Sequence, residues 1–415
     1  MQIEFVATGS ELLDGRVINT HAQWLGKELF DLGMPLSKVI SVADKKTDLK
    51  DVFKQSIATS DVLIISGGLG PTEDDITKDV LADLLNRPLH FHSNIFEDIK
   101  NLFIQKNKIM TPNNKKQAFL PEGAVYIENK LGSAPAFYFI EKQCLIVCVQ
   151  GVFHEMAPIL KQVVFPKMKS FLIEQGNHIH VFEKKVFRCF GIGESALADI
   201  IDQTCQIPAD ISISYRAYFC ELSLVVTCLN SENKKLFNQF CQRLTCTINQ
   251  YIFSESSLPI TRLIADKLTS LSQTVSVAES CTGGLLSAAL VSEPGASTFF
   301  LESLVTYSNE SKMTRLGVSK QLLDTYGSVS EQVSSVMCCS MLDISNYAIS
   351  VTGIAGPGGS TDQKPLGLVY ISIGHSDVIE THKYFFKGSR LAIQQQTVHM
   401  ALLRLYLFIQ NIESS

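Results

Sequence analysis

The chain has 415 residues, with 36 Lys or Arg against 41 Asp or Glu, and so a formal net charge of -5. At about 150 residues per domain, this length predicts two or three domains. A composition of 46% hydrophobic and 19% charged residues is typical of a globular protein and excludes disordered and fibrous classes. The mildly acidic balance indicates no direct nucleic-acid binding.

The first residues, MQIEFVATGSELLDG, do not form a signal peptide pattern, because Glu4 comes at once and Thr8 and Gly9 interrupt the apolar run. No stretch approaches the roughly 18 to 20 apolar residues of a membrane span. We therefore expect a cytoplasmic protein with no membrane partner. The eleven cysteines include no CxxC pair, which favours reduced, mostly buried thiols over disulfides or zinc ligands.

Residues 1–169 predict a first domain in which strands and helices alternate. The predicted strands are short and apolar, at residues 3–7, 39–42 and 62–65. This alternation favours a mostly parallel sheet with helices on both faces. Ligands of such sheets bind at the carboxyl ends of the strands, where this chain carries glycine turns.

One of these turns, GGLGPTEDDIT at 67–77, is followed by a predicted helix. Thr72 and Asp75 fit a helix-capping pattern, which is a purely structural interpretation. Three consecutive acids, Glu73, Asp74 and Asp75, could instead hold a divalent cation, with the glycine N–H groups on a phosphate. The residues alone leave both interpretations open.

Residues 170–256 predict a small α+β module, and residues 257–415 predict a third, α/β domain. The module contains long strands at 181–190 and 211–228 and helices at 195–204 and 234–251. The third domain contains five predicted strands, at 274–278, 303–307, 348–352, 368–374 and 381–386.

Polar motifs lie where three strands of the third domain end: AESCTGG at 278–284, TYSNESK at 306–312 and TGIAGPGG at 352–359. A parallel sheet brings successive strand ends to one edge. Ser280, Tyr307, Lys312 and Thr352 are therefore expected to share one site.

Ser280 is expected just before a helix that begins near Thr282, where helix N–H groups could stabilise an oxyanion or hold a phosphate. A simple N-cap is the alternative. Cys281 is a competing nucleophile, but no histidine of this domain stands in a motif-like setting beside it. A desolvated Lys312 could activate Ser280, with Tyr307 orienting the proton. The alternative is a solvated lysine and a half-buried tyrosine.

The loop at 352–359 offers backbone N–H groups and glycines that suit a phosphate or a ribose, or it is simply a long turn. It matches neither a Walker A motif nor a dinucleotide fingerprint. Arg390, which opens the last predicted helix, could bind an anionic group or be an ordinary surface residue.

The third domain resembles the carboxyl-terminal domain of the CinA family of competence/damage-inducible proteins, over residues 260–410. The resemblance rests on the order and spacing of three motifs: AESCTGG, YSNESK with the following LGV, and TGIAGPGG. The resemblance implies a nicotinamide mononucleotide deamidase, with Ser280 as nucleophile, Lys312 as base, Tyr307 assisting, and no cofactor. The implied substrate-binding residues are Thr282, Gly283, Gly284, Asn309, Thr352, Gly353, Ala355, Gly356 and Arg390.

This chain departs from the family at the last helix, where GDRxxVR is common and GSRLAIQ stands here. Ser389 replaces an acid, and Gln394 replaces an arginine. Arg390 therefore remains as the candidate for the substrate phosphate.

ATGSELLDGRVINT at 7–20 and the acidic turn resemble the CinA amino-terminal domain, which is similar to molybdopterin-binding domains. The resemblance implies an ADP-ribose pyrophosphatase whose divalent metal, Mg or Co, binds Asp74 and Asp75. The implied nucleotide site comprises Gly9, Ser10, Glu11, Asp14, Asn19, Gly67, Gly68, Gly70 and Thr72. Two segments differ from the family pattern: QGVFHEM at 150–156 instead of PGVPxEM, and SYRAYFCELSL at 214–224 instead of SYPxxGEVxL.

Three hypotheses for the function follow. The leading one is a nicotinamide mononucleotide amidohydrolase of pyridine-nucleotide salvage, and a second adds ADP-ribose hydrolysis in the first domain. A third is a non-enzymatic adaptor in competence or DNA-damage responses, which would have no need of the set Ser280, Tyr307, Lys312 and Thr352. The resemblance also implies a homodimer.

Overall fold

The computed structural model describes residues 1–229 and 233–414 and shows a mixed α/β chain. Its internal contacts divide the chain into two compact units. The first comprises Met1–Glu183 with Cys228–Lys234, and the second Lys184–Thr227 with Lys235–Ser415. Most of the predicted middle module thus belongs to the second unit, and the boundaries at 169/170 and 256/257 stay predictions.

Eight strands lie among the described residues of the first unit. They are β1 (Ile3–Thr8), β2 (Lys38–Val42), β3 (Val62–Ser66), β4 (Leu89–Phe91), β5 (Phe119–Pro121), β6 (Val125–Ile127), β7 (Ala136–Glu141) and β8 (Cys144–Val149). The main sheet has the order β2-β1-β3-β8-β7-β6, and β4 pairs separately with β5. Strands β2, β1, β3 and β8 are parallel, whereas β7 and β6 are antiparallel.

The helices of the first unit are α1 (Ser10–Leu13), α2 (Thr20–Asp31), α3 (Lys46–Thr59), α4 (Thr77–Leu85), α5 (Ser93–Gln105), α6 (Phe153–Ile159) and α7 (Phe165–Glu174). Alternate residues of β1 point to opposite faces of the sheet, as the period of a strand requires. Phe5 packs in a core with α2 and α7, and Val6 in a core with α3, α4 and α5. The predicted mostly parallel sheet with helices on both faces is confirmed.

The second unit begins with a four-stranded sheet of order β10-β11-β9-β12. Its elements are β9 (Glu183–Phe190), α8 (Glu194–Thr204), β10 (Ile211–Tyr218), β11 (Glu221–Cys228), α9 (Lys234–Ile248) and β12 (Ile252–Ser254). The prediction of one long strand at 211–228 is wrong, because the backbone turns at Phe219, whose φ is +52°. The segment forms two strands instead.

The rest of the second unit is built on a five-stranded sheet of order β14-β13-β15-β16-β17. Its strands are β13 (Val275–Glu279), β14 (Phe300–Val305), β15 (Tyr347–Gly353), β16 (Leu368–His375) and β17 (Val378–Phe385). Its helices are α10 (Ile260–Ser270), α11 (Leu285–Val291), α12 (Asn309–Leu316), α13 (Lys320–Tyr326), α14 (Glu331–Leu342) and α15 (Arg390–Ser414). Strands β13, β14 and β15 are parallel, so their carboxyl ends lie at one edge.

This sheet also has an apolar core on each face. Val277 packs with residues of α10, α11 and α15, whereas Ala278 packs with residues of α12, α13 and α14. Within the described residues, no helix combines the length and the apolar character that crossing a membrane requires.

Candidate active site

The three polar motifs of the carboxyl-terminal sheet meet at one edge. Glu279, the last residue of β13, is in register with Val305 of β14 and with Val351 of β15. The next residues, Ser280, Thr306 and Thr352, therefore lie side by side, with Ser280 and Thr306 just beyond their strands and Thr352 still within β15, where it pairs with Tyr370 of β16. The juxtaposition that the motifs predicted is present.

Ser280 and Lys312 form the polar centre of this edge. Lys312 Nζ lies 2.9 Å from Ser280 Oγ and 2.6 Å from the main-chain oxygen of Thr306. Lys312 reaches the strand ends from the first turn of α12, which begins there because the Ser308 hydroxyl accepts the amide of Ser311 at 3.0 Å. The cap thus sets the position of the lysine.

Lys312 is buried without a compensating charge. Its side chain is only 1% exposed, and among the described residues no carboxylate forms an ion pair with it. Removal from water disfavours the charged ammonium, and burial lowers the pKa of Lys312 to about 8. Roughly one lysine in ten would be neutral at pH 7, so the side chain is suited to act as a base.

Cys281 lies next to Ser280 but has the opposite electrostatic character. Burial raises the pKa of the Cys281 thiol to about 12, and the thiol therefore stays protonated at neutral pH. A protonated, buried thiol is a poor nucleophile. Between the two candidate nucleophiles, the geometry favours Ser280.

The start of α11 differs from the prediction. The helix begins at Leu285 rather than near Thr282, after a turn in which Gly283 and Gly284 have φ of +61° and +100°. The fully buried Glu279 carboxylate accepts the amides of Gly284 at 2.9 Å and Leu286 at 3.2 Å. These N–H groups are therefore not free to bind an oxyanion or a phosphate, and the predicted role of the helix N–H groups is wrong for Gly284 and Leu286.

Glu279 is a residue whose role sequence reasoning missed. It also accepts the Ser287 amide at 2.9 Å and the Ser287 hydroxyl. A carboxylate at a helix start is favourable, because it satisfies free N–H groups and opposes the helix dipole. The glutamate directly before the serine in AESCTGG was the available signal.

Thr282 lies in the same turn and is 1% exposed. Within the described part of the chain its hydroxyl has no hydrogen-bond partner. A buried polar group without a partner is unusual in a folded protein and calls for a ligand or another explanation. This placement suits the substrate-binding role that the family resemblance implied.

Arg390 connects two predicted parts of the site. Its guanidinium donates to the main-chain oxygen of Gly356 at 2.6 Å and to the Tyr307 hydroxyl at 3.0 Å. Tyr307 is 61% exposed, and its main-chain oxygen, not its hydroxyl, is the atom that lies 3.5 Å from Lys312 Nζ. The structure thus places the phenol with Arg390, and a proton-orienting role of Tyr307 stays a prediction.

The remaining predicted residues differ in exposure. Thr352 is fully buried, and its hydroxyl donates to the Ser328 main-chain oxygen at 2.8 Å. Gly353 leaves no room for a side chain, since a Cβ there would lie 2.6 Å from Val369 Cγ2. Ala355 and Gly356 are also buried in the glycine loop, whereas Asn309 is exposed at the start of α12.

Gln394 supports the nucleophile turn. Its side-chain amide donates to the main-chain oxygen of Cys281 at 2.7 Å. Ser389, the other residue that departs from the family pattern, accepts the amide of Ala392 at 3.3 Å and so caps α15. The two substitutions in GSRLAIQ therefore have structural roles at this edge.

The first unit holds a second candidate site, a cavity of about 420 Å³ at the carboxyl ends of β1 and β3. The predicted residues that line it are Gly9, Glu11, Gly67, Gly68, Gly70, Asp74 and Asp75. Sequence reasoning missed six further polar lining residues, which are Thr8, Asp44, Gln117, Ser133, Gln150 and Glu155. Gln150 is the first residue of the segment QGVFHEM, so a departure from the family pattern lies in the cavity wall.

The other predicted residues of this site have local partners. The Ser10 amide donates to Asp44 Oδ2 at 3.0 Å, and Asn19 caps α2 by accepting the Ala22 amide at 3.1 Å. Asp14 forms an exposed ion pair with Arg16 at 2.6 Å, and the Thr72 amide donates to Asp75 Oδ2 at 2.9 Å. Thr72 and Asp75 thus bond to each other ahead of α4, which begins at Thr77 after an N-cap, Ile76, that makes no side-chain capping bond. The helix-capping interpretation of the acidic turn is therefore wrong.

The acidic residues of the cavity do not converge as metal ligands do. Burial raises the pKa of Asp44, and the charges of Glu11, Asp74 and Asp75 raise it further. In the described ranges, however, no three His, Cys, Asp or Glu side chains are grouped closely enough to hold a metal ion. These residues do not fit a three-ligand metal centre, and the Mg or Co site stays a prediction.

Comparison with known proteins covers nearly the whole chain. Residues 258–409 match the family model of the CinA C-terminal domain, and residues 4–170 match the model described as "Probable molybdopterin binding domain". A competence-damage inducible protein of Caldicellulosiruptor bescii is 36% identical over 408 residues, which cover 97% of this chain and 98% of that protein. The corresponding protein of Acetivibrio thermocellus is 36% identical over 403 residues, covering 96% of each chain.

Among solved structures, the competence/damage inducible protein CihA of Agrobacterium tumefaciens is 37% identical, with a TM-score of 0.36. The match covers 37% of this chain and 99% of that chain. The two relatives match this chain over nearly its full length, and both family models match its domains. The chain belongs to the CinA family of competence-damage inducible proteins.

Proposed function

We propose that this protein is a nicotinamide mononucleotide amidohydrolase, which converts the carboxamide to a carboxylate and releases ammonia in pyridine-nucleotide salvage. The observation that carries the proposal is the 2.9 Å contact between the Ser280 hydroxyl and the buried Lys312 amine. A serine next to a lysine of lowered pKa is the arrangement of Ser-Lys nucleophilic catalysis.

Lys312 accepts the Ser280 proton in the first step. A neutral amine has two N–H bonds and one lone pair. The main-chain oxygens of Thr306 and Tyr307 lie 2.6 and 3.5 Å from Lys312 Nζ, and they accept hydrogen bonds from its two N–H groups. The lone pair is then left for the Ser280 hydroxyl.

Ser280 Oγ attacks the carboxamide carbon while its proton passes to Lys312 Nζ. Lys312 returns that proton to the amino group as the C–N bond breaks, and ammonia leaves. A water molecule then attacks the resulting ester carbon, with Lys312 again taking a proton. The bond between Ser280 Oγ and carbon breaks, the proton returns to Ser280, and nicotinate mononucleotide is released.

The developing oxyanion needs a hydrogen-bond donor that is not already engaged. The amides of Gly284, Leu286 and Ser287 are bound to the Glu279 carboxylate, and that of Leu285 to the Thr282 main-chain oxygen. The Thr282 hydroxyl, in contrast, has no partner among the described residues. We assign this donor role to Thr282. Arg390, at the exposed end of the same edge, is assigned to the substrate phosphate because guanidinium groups bind phosphates in a bidentate manner.

Ammonia release from nicotinamide mononucleotide tests the proposal, in buffer with a chelator so that no metal contributes. Ser280→Ala and Lys312→Met are expected to reduce kcat by about a thousandfold or more. The matched controls are Ser292→Ala and Lys320→Met, two exposed residues of the same domain, which should stay within about twofold of wild type. Circular dichroism establishes that each variant is folded.

A Ser280→Ala variant that turns over at the wild-type rate would overturn the nucleophile assignment. A folded wild-type protein that releases no ammonia would favour the non-enzymatic adaptor. Both results are decisive, because circular dichroism reports separately on folding.

We propose a second candidate function, binding and hydrolysis of ADP-ribose, for the cavity of the first unit. It is supported by the 420 Å³ volume and by the glycine turns at 67–70 that face it. Glycine N–H groups at strand ends suit a diphosphate. Release of AMP from ADP-ribose, measured with Mg, with Co and with a chelator, tests both the activity and its metal dependence.

A further inference from the structure

The second unit contains a large cavity that is distinct from the candidate active site. Its volume is about 710 Å³, and it lies between the β10-β11-β9-β12 sheet and the carboxyl-terminal domain. One wall comes from β9, β10 and β11, and the other from residues 257–261, Leu285 and α15. The volume lies in the range of about 300 to 1,000 Å³ that is usual for small-molecule sites.

The cavity has an aromatic entrance. Tyr218 and Phe219 line it at the tip of the β10–β11 turn, and they are 52% and 44% exposed. Their ring centroids lie 4.5 Å apart and 5.2 and 5.9 Å from the His399 ring. Leu258 and Leu285, on the opposite wall, are also exposed to solvent. Large apolar side chains left exposed around one cavity indicate a binding site for a flat apolar group.

The backbone at this entrance is unusual. Phe219 has a φ of +52°, a left-handed conformation that residues with bulky side chains rarely adopt. Such conformations concentrate at functional sites, where the surrounding structure maintains them. Phe219 and Arg216, another lining residue, both belong to the segment 214–224 that departs from the CinA family pattern.

The charges that line the cavity leave one cation unbalanced. Arg188 donates to both oxygens of the Glu221 carboxylate at 2.5 Å. Although burial opposes ionisation, His399, whose Nε2 lies 3.3 Å from the carboxylate, and the hydrogen bonds from Arg188 hold the pKa of Glu221 at about 2. Glu221 therefore neutralises Arg188. Arg216 is exposed, and no other described residue forms an ion pair with it, so the cavity favours an anion.

We propose that this cavity binds a planar aromatic anion, with the ring against Tyr218 and Phe219 and the anionic group on Arg216. The ring gains contact with aromatic faces and with the apolar wall. The anionic group of the ligand gains a charge-assisted hydrogen bond from the Arg216 guanidinium, which forms no ion pair in the described chain. The site is independent of the proposed deamidation, because Ser280, Tyr307 and Lys312 do not line it.

Calorimetric titration of the full chain with 2-naphthoate and with the uncharged 2-naphthamide tests the proposal. The carboxylate should bind with an affinity about tenfold higher than the amide. Arg216→Gln should remove this preference, and Arg243→Gln, a change of an exposed arginine on α9, should keep it. Equal binding of the two ligands to wild type, or an unchanged preference in Arg216→Gln, would overturn the proposal.

The aromatic contact needs a variant that does not disturb folding. Phe219→Gly removes the ring and suits the left-handed backbone, so the fold should be retained or stabilised. We expect affinity for naphthoate to fall about fivefold or more. Unchanged affinity in this variant contradicts the placement of the ring.

Binding at the active site is excluded by repeating the titration on Ser280→Ala with excess nicotinamide mononucleotide. Naphthoate should bind as it does to wild type. Loss of binding under these conditions would place the anion in the active site and end the proposal. The titrations of wild type, Arg216→Gln and Phe219→Gly use neither turnover nor nicotinamide mononucleotide, so they remain valid if the deamidase proposal fails.

Discussion

At the scale of single residues, the chemistry depends on two side chains that have lost their contact with water. Lys312 and Cys281 are both buried, and burial has opposite consequences for them. It lowers the pKa of the amine to about 8 and raises that of the thiol to about 12. In both cases the neutral form is favoured, which makes the lysine a base and keeps the thiol unreactive.

The pH dependence of kcat/KM follows from the Lys312 pKa. Because the neutral amine is the active form, activity should rise with pH through about pH 8 and level off above it. Below about pH 7, kcat/KM should fall about tenfold for each pH unit. A rate profile measured from pH 6 to 9.5 checks this. Activity that falls with rising pH in this range would contradict the role of Lys312 as a base.

Cys281 is expected to be dispensable for the chemistry. Cys281→Ala should keep kcat within about threefold, because the protonated thiol contributes no nucleophile and the contact of Gln394 is to the main chain. Ammonia release with and without a thiol-alkylating reagent is the measurement. Complete loss of activity in a folded Cys281→Ala variant would reopen the choice between Cys281 and Ser280.

At the scale of elements, the site depends on how two helices begin. The first amides of α11 are held by Glu279, and α12 is capped by Ser308. Helix α15 adds Arg390 and Gln394, which hold the glycine loop and the turn after Ser280. Each strand end is thus tied to a helix start, and this keeps the nucleophile and the base 2.9 Å apart.

Removal of the Glu279 charge should damage both the fold and the activity. Glu279→Gln replaces a fully buried carboxylate that accepts three main-chain amides. We expect the free energy of unfolding to fall by about 2 kcal/mol. Glu302→Gln, on the exposed part of β14, is the control. Urea denaturation measures the effect, and equal stability of both variants would refute the capping role.

At the scale of the whole molecule, the two candidate sites lie in different compact units. Each unit has its own sheet and its own apolar cores. Changes in distant sites without shared partners are usually additive. The proposed deamidase and the proposed ADP-ribose site should therefore respond independently to substitution.

Two substitutions in one chain test this independence. Ser280→Ala should abolish ammonia release and leave ADP-ribose affinity unchanged, whereas Asp74→Asn should alter ADP-ribose affinity and leave ammonia release within about twofold. Calorimetry and an ammonia assay provide the two readouts. Cross-effects above about fivefold would show that the sites are coupled. The homodimer, also still a prediction, is checked by sedimentation on the same samples.

The sequence by itself determined the fold class and predicted that Ser280, Tyr307, Lys312 and Thr352 come together at one edge, while their roles stay predictions. It could do so because strand periodicity and glycine turns are local patterns, and because parallel strands end at one edge. The turn that splits 211–228 was missed, since an unusual backbone angle at Phe219 has no clear signal in composition.

Only the tertiary structure decided the state and the partners of these groups. The burial of Lys312, the partner of Tyr307 and the role of Gln394 depend on contacts between residues that are 32, 83 and 113 positions apart. Loss of water and long-range hydrogen bonds arise when the chain packs, and no local pattern encodes them. The physical reason is that a motif specifies which chemical groups are present, whereas packing sets their charge and direction.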